Sequence, residues 1–410
     1  MAGALAGAAA VVVGFWLTTP DVAYAAAKKT GDSDDAADAI CDMDTGEAAT
    51  AGKKPDSNGS SALRAFAGGT CFTLSGSVQL TGQATDSPEP RPGQPLVAPR
   101  IGKINPYLRL ETARHTSHGA LKTAFEIDWS YATDTGPDSL PTLDEMTVSL
   151  AGFTLGYAAS LMGFWDSETF EFTASAPNRS SYLFSYEHGL GAALKLAVAV
   201  EAGPPTTRGA STWDLPDTPP YYTTRLRYEK DDWTLHASAA VHEVDTRGAV
   251  LLGLPAESRV GWAASAGIKI PFSFIAEDDA FSSQVSYAVD SLIFLGTATD
   301  VSFLAAHLPT TGPTRGWSAV ASYSHNWTEK WASIVFASYL TLDAELFLTR
   351  PSVQTKRYGV NLTYQPIDNL TLGFEVDGID ALIEINGPLG IIPDIRVKGH
   401  TAFLWIKRDF

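Results

Sequence analysis

The sequence predicts an all-β protein: a transmembrane antiparallel β-barrel of about 16 strands. Three observations carry this reading. After residue 70, apolar and polar residues alternate at period two through much of the chain, the spacing of half-buried strands. Short polar joints alternate with long connections rich in Gly, Pro or Asp, as turns and loops do on the two sides of an outer-membrane barrel. Beyond the first residues there is no run of about 18 apolar residues, so a membrane must be crossed by strands rather than helices.

The chain opens with MAGALAGAAAVVVGFWLTTPDVAYAAAKK, uncharged from residue 2 to 17 and carrying the small-x-small triplet Ala23-Tyr24-Ala25. Residues 1–25 are expected to be a cleaved export signal, although no Lys or Arg precedes the apolar stretch. Residues 26–70 are small, polar and acidic without periodicity and are expected to be poorly ordered. Of the two cysteines, Cys41 lies in that segment and Cys71 opens the next. An exported chain meets an oxidising compartment, so the two are expected to pair; two free thiols are the alternative.

From Cys71 to Phe410 the pattern is that of the barrel. In KTAFEIDWSY, Phe125, Ile127 and Trp129 face one way and Ala124, Glu126 and Asp128 the other. RYGVNLTYQP, NLTLGFEVD and the closing TAFLWIKRDF repeat the alternation. Read this way, the strands are 71–83, 105–115, 119–131, 143–151, 153–160, 181–187, 191–201, 221–229, 233–245, 259–271, 279–289, 317–327, 331–343, 356–366, 370–383 and 396–410, an even set as closure requires. VSFLAA near 301 is a further candidate strand. Trp233, Trp327, Trp331, Tyr358 and Tyr364 are expected to form an interfacial girdle.

Charge separates this reading from soluble ones. Arg109, Glu111, Glu126, Asp128, Arg225, Arg227, Glu375 and Asp377 all fall on the inward face, where a sandwich core would have no partners for them and a water-filled lumen would. No repeat of fixed period suggests a propeller. A formal net charge of −17 argues against nucleic acid as a partner. No P-loop, dinucleotide fingerprint or zinc spacing appears, so no cofactor or metal is expected.

Three places add a resemblance. LAGFTLGYAASLMGFWD at 150–166 is similar to the GFTxG…S…F-W/F segment of the alphaproteobacterial general porins; the two N-terminal cysteines with CFTLSG after the second, and the terminal Phe410, also resemble that family. The resemblance implies a trimeric sixteen-stranded barrel for passive diffusion of small hydrophilic solutes and ions. Its surroundings would be outer-membrane lipid and lipopolysaccharide, with Phe410 as the signal to the barrel assembly machinery. It also implies a third loop, here about Met162 to Ser180, folded inward. Asp166, Glu168 and Glu171 would then face Arg109, Arg114, Arg225 and Arg227 across the constriction. Tyr157 stands where the family commonly has a basic residue, which favours cations.

Two other functions compete. A substrate-selective channel is not separated from a general one by sequence. A barrel lipase is suggested by His115 and Ser117, similar to the His-x-Ser of outer-membrane phospholipase A, but their register points them to the lumen or a loop rather than to lipid.

Overall fold

The computed structural model describes residues 62–86, 97–132, 136–137, 141–165, 170–171, 174–202, 219–230, 233–245, 258–276, 278–296, 312–345, 350–386 and 394–410. The expected export signal, Cys41, Asp166, Glu168 and the candidate strand near 301 lie outside these residues.

Nineteen strands form one antiparallel sheet: β1 Leu63–Ala67, β2 Thr70–Asp86, β3 Val97–Thr116, β4 Gly119–Asp128, β5 Tyr131–Ala132, β6 Gly136–Pro137, β7 Thr142–Leu150, β8 Phe153–Ala159, β9 Ser180–Gly189, β10 Leu194–Glu201, β11 Tyr221–Lys230, β12 Trp233–Asp245, β13 Ser258–Pro271, β14 Ala280–Val289, β15 Arg315–Thr328, β16 Trp331–Asp343, β17 Arg350–Ile367, β18 Leu370–Asn386 and β19 Ile395–Asp409. Each of β2 to β4 and β7 to β19 pairs with the next, β4 pairs with β7, and β19 returns to β2. Without the short β1, β5 and β6, this is a closed ring of sixteen.

All sixteen expected strands are present, and β12 and β16 keep the expected ends, 233–245 and 331–343. The largest difference is β3, which starts at Val97 rather than 105, passing a register shift opposite Thr81 and Gly82 where Gly102 takes a φ of +100°. A second difference is β1, inside the segment expected to be irregular. Leu63–Ala67 pairs with the start of β2 across Gly68-Gly69, both at positive φ, a hairpin turn that local composition concealed.

Alternation fixes the two faces. On β18, Leu372, Phe374 and Val376 are 37–49% exposed, while Glu375 and Asp377 between them are at most 1% exposed. On β19, Leu404, Ile406 and Phe410 point outward and Phe403 inward. An outward apolar and inward polar sheet is what a lipid exterior and a wet interior demand. Trp327 and Trp331 flank the turn between β15 and β16, and Trp331 stacks on Tyr364 with ring centroids 4.4 Å apart. Tyr358 is the exception among the girdle residues. It lies in mid-β17, where its hydroxyl meets His400 Nε2 at 3.2 Å.

The ring closes on one residue pair. The Phe410 N–H donates to the Gly76 carbonyl and the Gly76 N–H to the Phe410 carbonyl, each at 2.8 Å. A Cβ on Gly76 would lie 2.7 Å from Cζ of the Phe410 ring and 2.6 Å from the Tyr107 carbonyl oxygen. Glycine therefore lets the terminal ring lie over the seam. Gly76→Val is expected to destabilise the closed barrel by about 1–3 kcal/mol through overpacking. On unheated gels, less folded-form mobility at a given urea concentration checks this; unchanged mobility would remove Gly76 from the closure.

Candidate functional site

The described residues of the chain between β8 and β9, 160–165, 170–171 and 174–179, lie on the inner face of the sheet, where side chains of the wall hold them. Glu201, 0% exposed at the end of β10, accepts from the Leu161 N–H at 3.1 Å, from Ser181 Oγ at 3.2 Å and from Thr223 Oγ1 at 2.7 Å. Gln284 on β14 satisfies its whole amide: Oε1 accepts from the Phe164 and Trp165 N–H groups at 3.2 and 2.9 Å, and Nε2 donates to the Met162 carbonyl at 2.9 Å and Ser265 Oγ at 2.8 Å. Further along, Trp165 Nε1 donates to Ser322 Oγ on β15 (2.8 Å), and the Ser175 N–H donates to Ser338 Oγ on β16 (3.2 Å). The Glu171 N–H donates to the Glu375 carboxylate on β18 at 3.0 Å, and Glu171 Oε1 accepts from Gln79 Nε2 on β2. Buried polar groups persist only when paired, and here the pairs belong to the loop.

Charged side chains form two groups on the same inner face. Arg109 on β3 is surrounded by Glu111 at 2.6 Å, Glu145 at 2.9 Å and Glu126, so one cation stands among three carboxylates. On β10 and β11, Arg225 pairs with Glu187 at 2.6 Å across the small Ala197, Arg227 with Glu229 at 2.6 Å, and Lys195 with Glu229 at 3.2 Å. Eight ring steps separate β10 from β18, half of sixteen, so this second group lies opposite Glu375 and Glu171.

Of the residues singled out from the sequence, Arg109, Arg225, Arg227 and Glu171 share the inner face. Arg225 differs from expectation: at 3% exposure it is buried in the wall. Next to it in the wall, His236 is covered by the Phe164 ring, 5.1 Å away between centroids. Arg114 corrects the expectation outright. It is exposed near the turn after β3, on the face shared by Leu108 and Leu110, and does not join the inner wall. Cys71 is buried on the inner face against Ala113. His115 and Ser117 are exposed at that same turn, and Ser117 Oγ meets His118 Nδ1 at 3.0 Å. Sequence reasoning missed Gln284, Glu201, Ser322 and Ser338. A large amide among the small inward residues of AFSSQVSYAV was the one available signal.

A closed sixteen-stranded ring with an apolar exterior and a polar interior has the architecture of an outer-membrane barrel. A family model described as a porin subfamily matches residues 66–382, most of the chain. The chain belongs to this porin subfamily. It is an outer-membrane channel for passive diffusion and not an enzyme. Among solved structures it is similar to the outer membrane channel DcaP of Acinetobacter baumannii, with a TM-score of 0.61 and 14% identity over 83% of this chain and 98% of that one. It is also similar to the anion-selective porin from Comamonas acidovorans, with a TM-score of 0.52 and 12% identity over 83% and 100%. At these identities the likeness is one of fold. No curated protein sequence matches the chain.

In this porin Gln284 is the principal anchor of the internal loop. Gln284→Leu keeps the volume but leaves the Phe164 and Trp165 N–H groups and the Met162 carbonyl without that partner, at about 1–3 kcal/mol for each group left buried. The barrel is expected to assemble while the loop becomes cleavable by added protease in detergent. Equal protease resistance of variant and wild type would show that the other anchors suffice.

Proposed function

We propose that this porin is a general diffusion pore of the alphaproteobacterial kind, assembled as a homotrimer, whose constriction prefers cations. The observation that carries the reading is the position of Glu171. Held through its N–H by Glu375 and through its carboxylate by Gln79, it stands at the β18–β2 side of the lumen, opposite β10 and β11. The basic residues of the opposite wall are all paired, Arg225 with Glu187 and both Lys195 and Arg227 with Glu229, which leaves a single excess positive charge, and Arg225 is buried. Arg109 is outnumbered by its three carboxylates. Acid therefore dominates the charge offered to a passing ion, and ion preference follows from such rings of side chains. Asp166 and Glu168, on the same loop, belong to the same proposed constriction. So does the third loop as the element that narrows the pore.

Two further parts of the proposal concern assembly. Cys41 is taken to pair with Cys71, which is supported by the absence of a free cysteine among the described residues. Phe410 is taken as the assembly signal, which its backbone pair with Gly76 supports. Lipopolysaccharide and the barrel assembly machinery follow as partners from the outer-membrane location.

The mature protein in a planar bilayer is expected to show ohmic steps grouped in threes, with a reversal potential of cation sign in a salt gradient. Burial, with Glu375 adding to it, raises the Glu171 carboxyl above the ordinary carboxylate range, while Gln79 and Lys103 pull it down. Lowering the pH therefore neutralises Glu171 earlier than an ordinary glutamate, and cation preference is expected to start falling above that ordinary range. Glu171→Gln is expected to show the reduced preference at neutral pH and to lose this early pH step. A reversal potential of anion sign at neutral pH would overturn the proposed preference.

A further inference from the structure

A second segment lies inside the barrel. After β14 the chain makes a 3-10 turn, Leu292–Leu295, whose four side chains are all buried. They pack on inward residues of the wall: Tyr221 of β11, Ala240 and Val244 of β12, Ala263 of β13 and Ala288 of β14. An apolar cluster on the inner face of a wet barrel is unexpected unless something covers it, since exposed apolar surface there gains nothing from lipid. The cover is the internal loop, which meets the turn at three places.

At the start of the loop, Met162, 0% exposed, belongs to the same apolar cluster. At its end, the Arg179 guanidinium lies 5.3 Å from the Phe294 ring centroid and 5.1 Å from that of Tyr221, and donates to the Ala202 carbonyl at 3.2 Å. Between these, Gly296 ends the turn at a φ of +83° in backbone contact with the loop. A Cβ there would lie 2.4 Å from the Ala176 nitrogen, 2.6 Å from its oxygen and 2.9 Å from the Ser175 carbonyl carbon. These are backbone atoms, so no rotamer change relieves the clash. The turn is itself fixed. Asp290 exchanges backbone and side-chain hydrogen bonds with Thr314 (2.7 and 2.8 Å), and its carbonyl meets His242 Nε2 at 2.7 Å.

We propose that the Leu292–Gly296 turn is a strut between the wall and the internal loop, and that Gly296 is a positioning residue for the pore. By setting how far Ser175 and Ala176 stand from β14 to β16, it sets the open cross-section on the far side of the loop. Together the strut and the described loop residues cover the inner face from β10 to β18, with Glu171 reaching Gln79 on β2, and the passage left for solute runs along β3 to β9, past Glu111, Lys122, Thr147 and Glu187. The inference extends the channel function and does not depend on the sign of ion preference.

The test is single-channel recording from the full mature protein, with folding followed separately by gel mobility before and after heating. Gly296→Leu pushes the loop away from the wall into the passage and is expected to lower unit conductance about two-fold while heat-modifiable barrel remains. Phe294→Ala removes the contact with Arg179 without intruding, and is expected to raise current noise and unit conductance in a barrel that still assembles. Should Gly296→Leu not assemble, Phe294→Ala decides the matter alone. Wild-type conductance and noise in an assembled Phe294→Ala barrel, or in an assembled Gly296→Leu barrel, would overturn the strut.

Discussion

The structure depends first on the fact that hydrocarbon offers a backbone N–H or C=O no partner. Each unpaired group there costs several kcal/mol, so a sheet that enters a membrane must close. Here closure rests on the seam between β19 and β2, ten residue pairs from His400–Asp86 to Asp409–Ser77, finished by the reciprocal bonds of Phe410 and Gly76. Beyond that pair β1 takes over the free edge of β2 from Thr70 to Leu74. The edge is therefore followed by a partner strand past the point where the last barrel strand ends, which is how an exposed edge is made harmless. Once the ring is closed, the period of two leaves every strand a lipid side and a lumen side, and nearly every later choice of residue type follows from which side a position takes.

Closure also constrains what lies inside. The wall's own N–H and C=O groups are used by the strand ladders, so a loop lying on the wall cannot join the sheet. It must be held by side chains. That is why the inner face carries Glu201, Gln284, Ser322, Ser338 and Glu375 at the points where loop N–H groups arrive. These residues are polar and buried, a costly combination unless every partner is present. They stand in the structure as acceptors for the backbone N–H groups of Leu161, Phe164, Trp165, Glu171 and Ser175 and, in Ser322, for the Trp165 indole.

This explains how much was legible in the sequence. Face and strand identity follow from local alternation, so Phe374 against Glu375, or Leu404 against Phe403, are readable one strand at a time. Parity even assigned Arg114 to the face of Leu108 and Leu110; grouping it with Arg109 as a basic wall residue ignored its own register. What alternation does not carry is which inward residues meet across the lumen. Gln284 and Trp165 are 119 residues apart, Glu375 and Glu171 are 204 apart, and nothing periodic links either pair. The irregular segments were opaque for a related reason: LIFL at 292–295 reads as a short apolar strand fragment or loop, and only the inner wall of β11 to β14 gives its side chains somewhere to go.

The same geometry bears on the field inside the pore. Charge on the inner face is mixed, and counting residues would not assign it a direction. What gives it one is unequal access. Around β10 and β11 three bases share the carboxylates of Glu187 and Glu229, and Phe164 lies over His236 beside Arg225. Around β2 to β7 and β18, the one guanidinium of Arg109 faces three carboxylates, and Glu171 is brought to that side by its bond to Glu375. The loop thus acts twice in the proposed reading: it covers the inner face from β10 to β18, and it carries the acid of Glu171 to the edge of that cover, beside β2. On that proposal a solute crossing the barrel would meet the charges that the loop and its strut leave uncovered, so the covering, more than the composition of the wall, would set what the channel prefers.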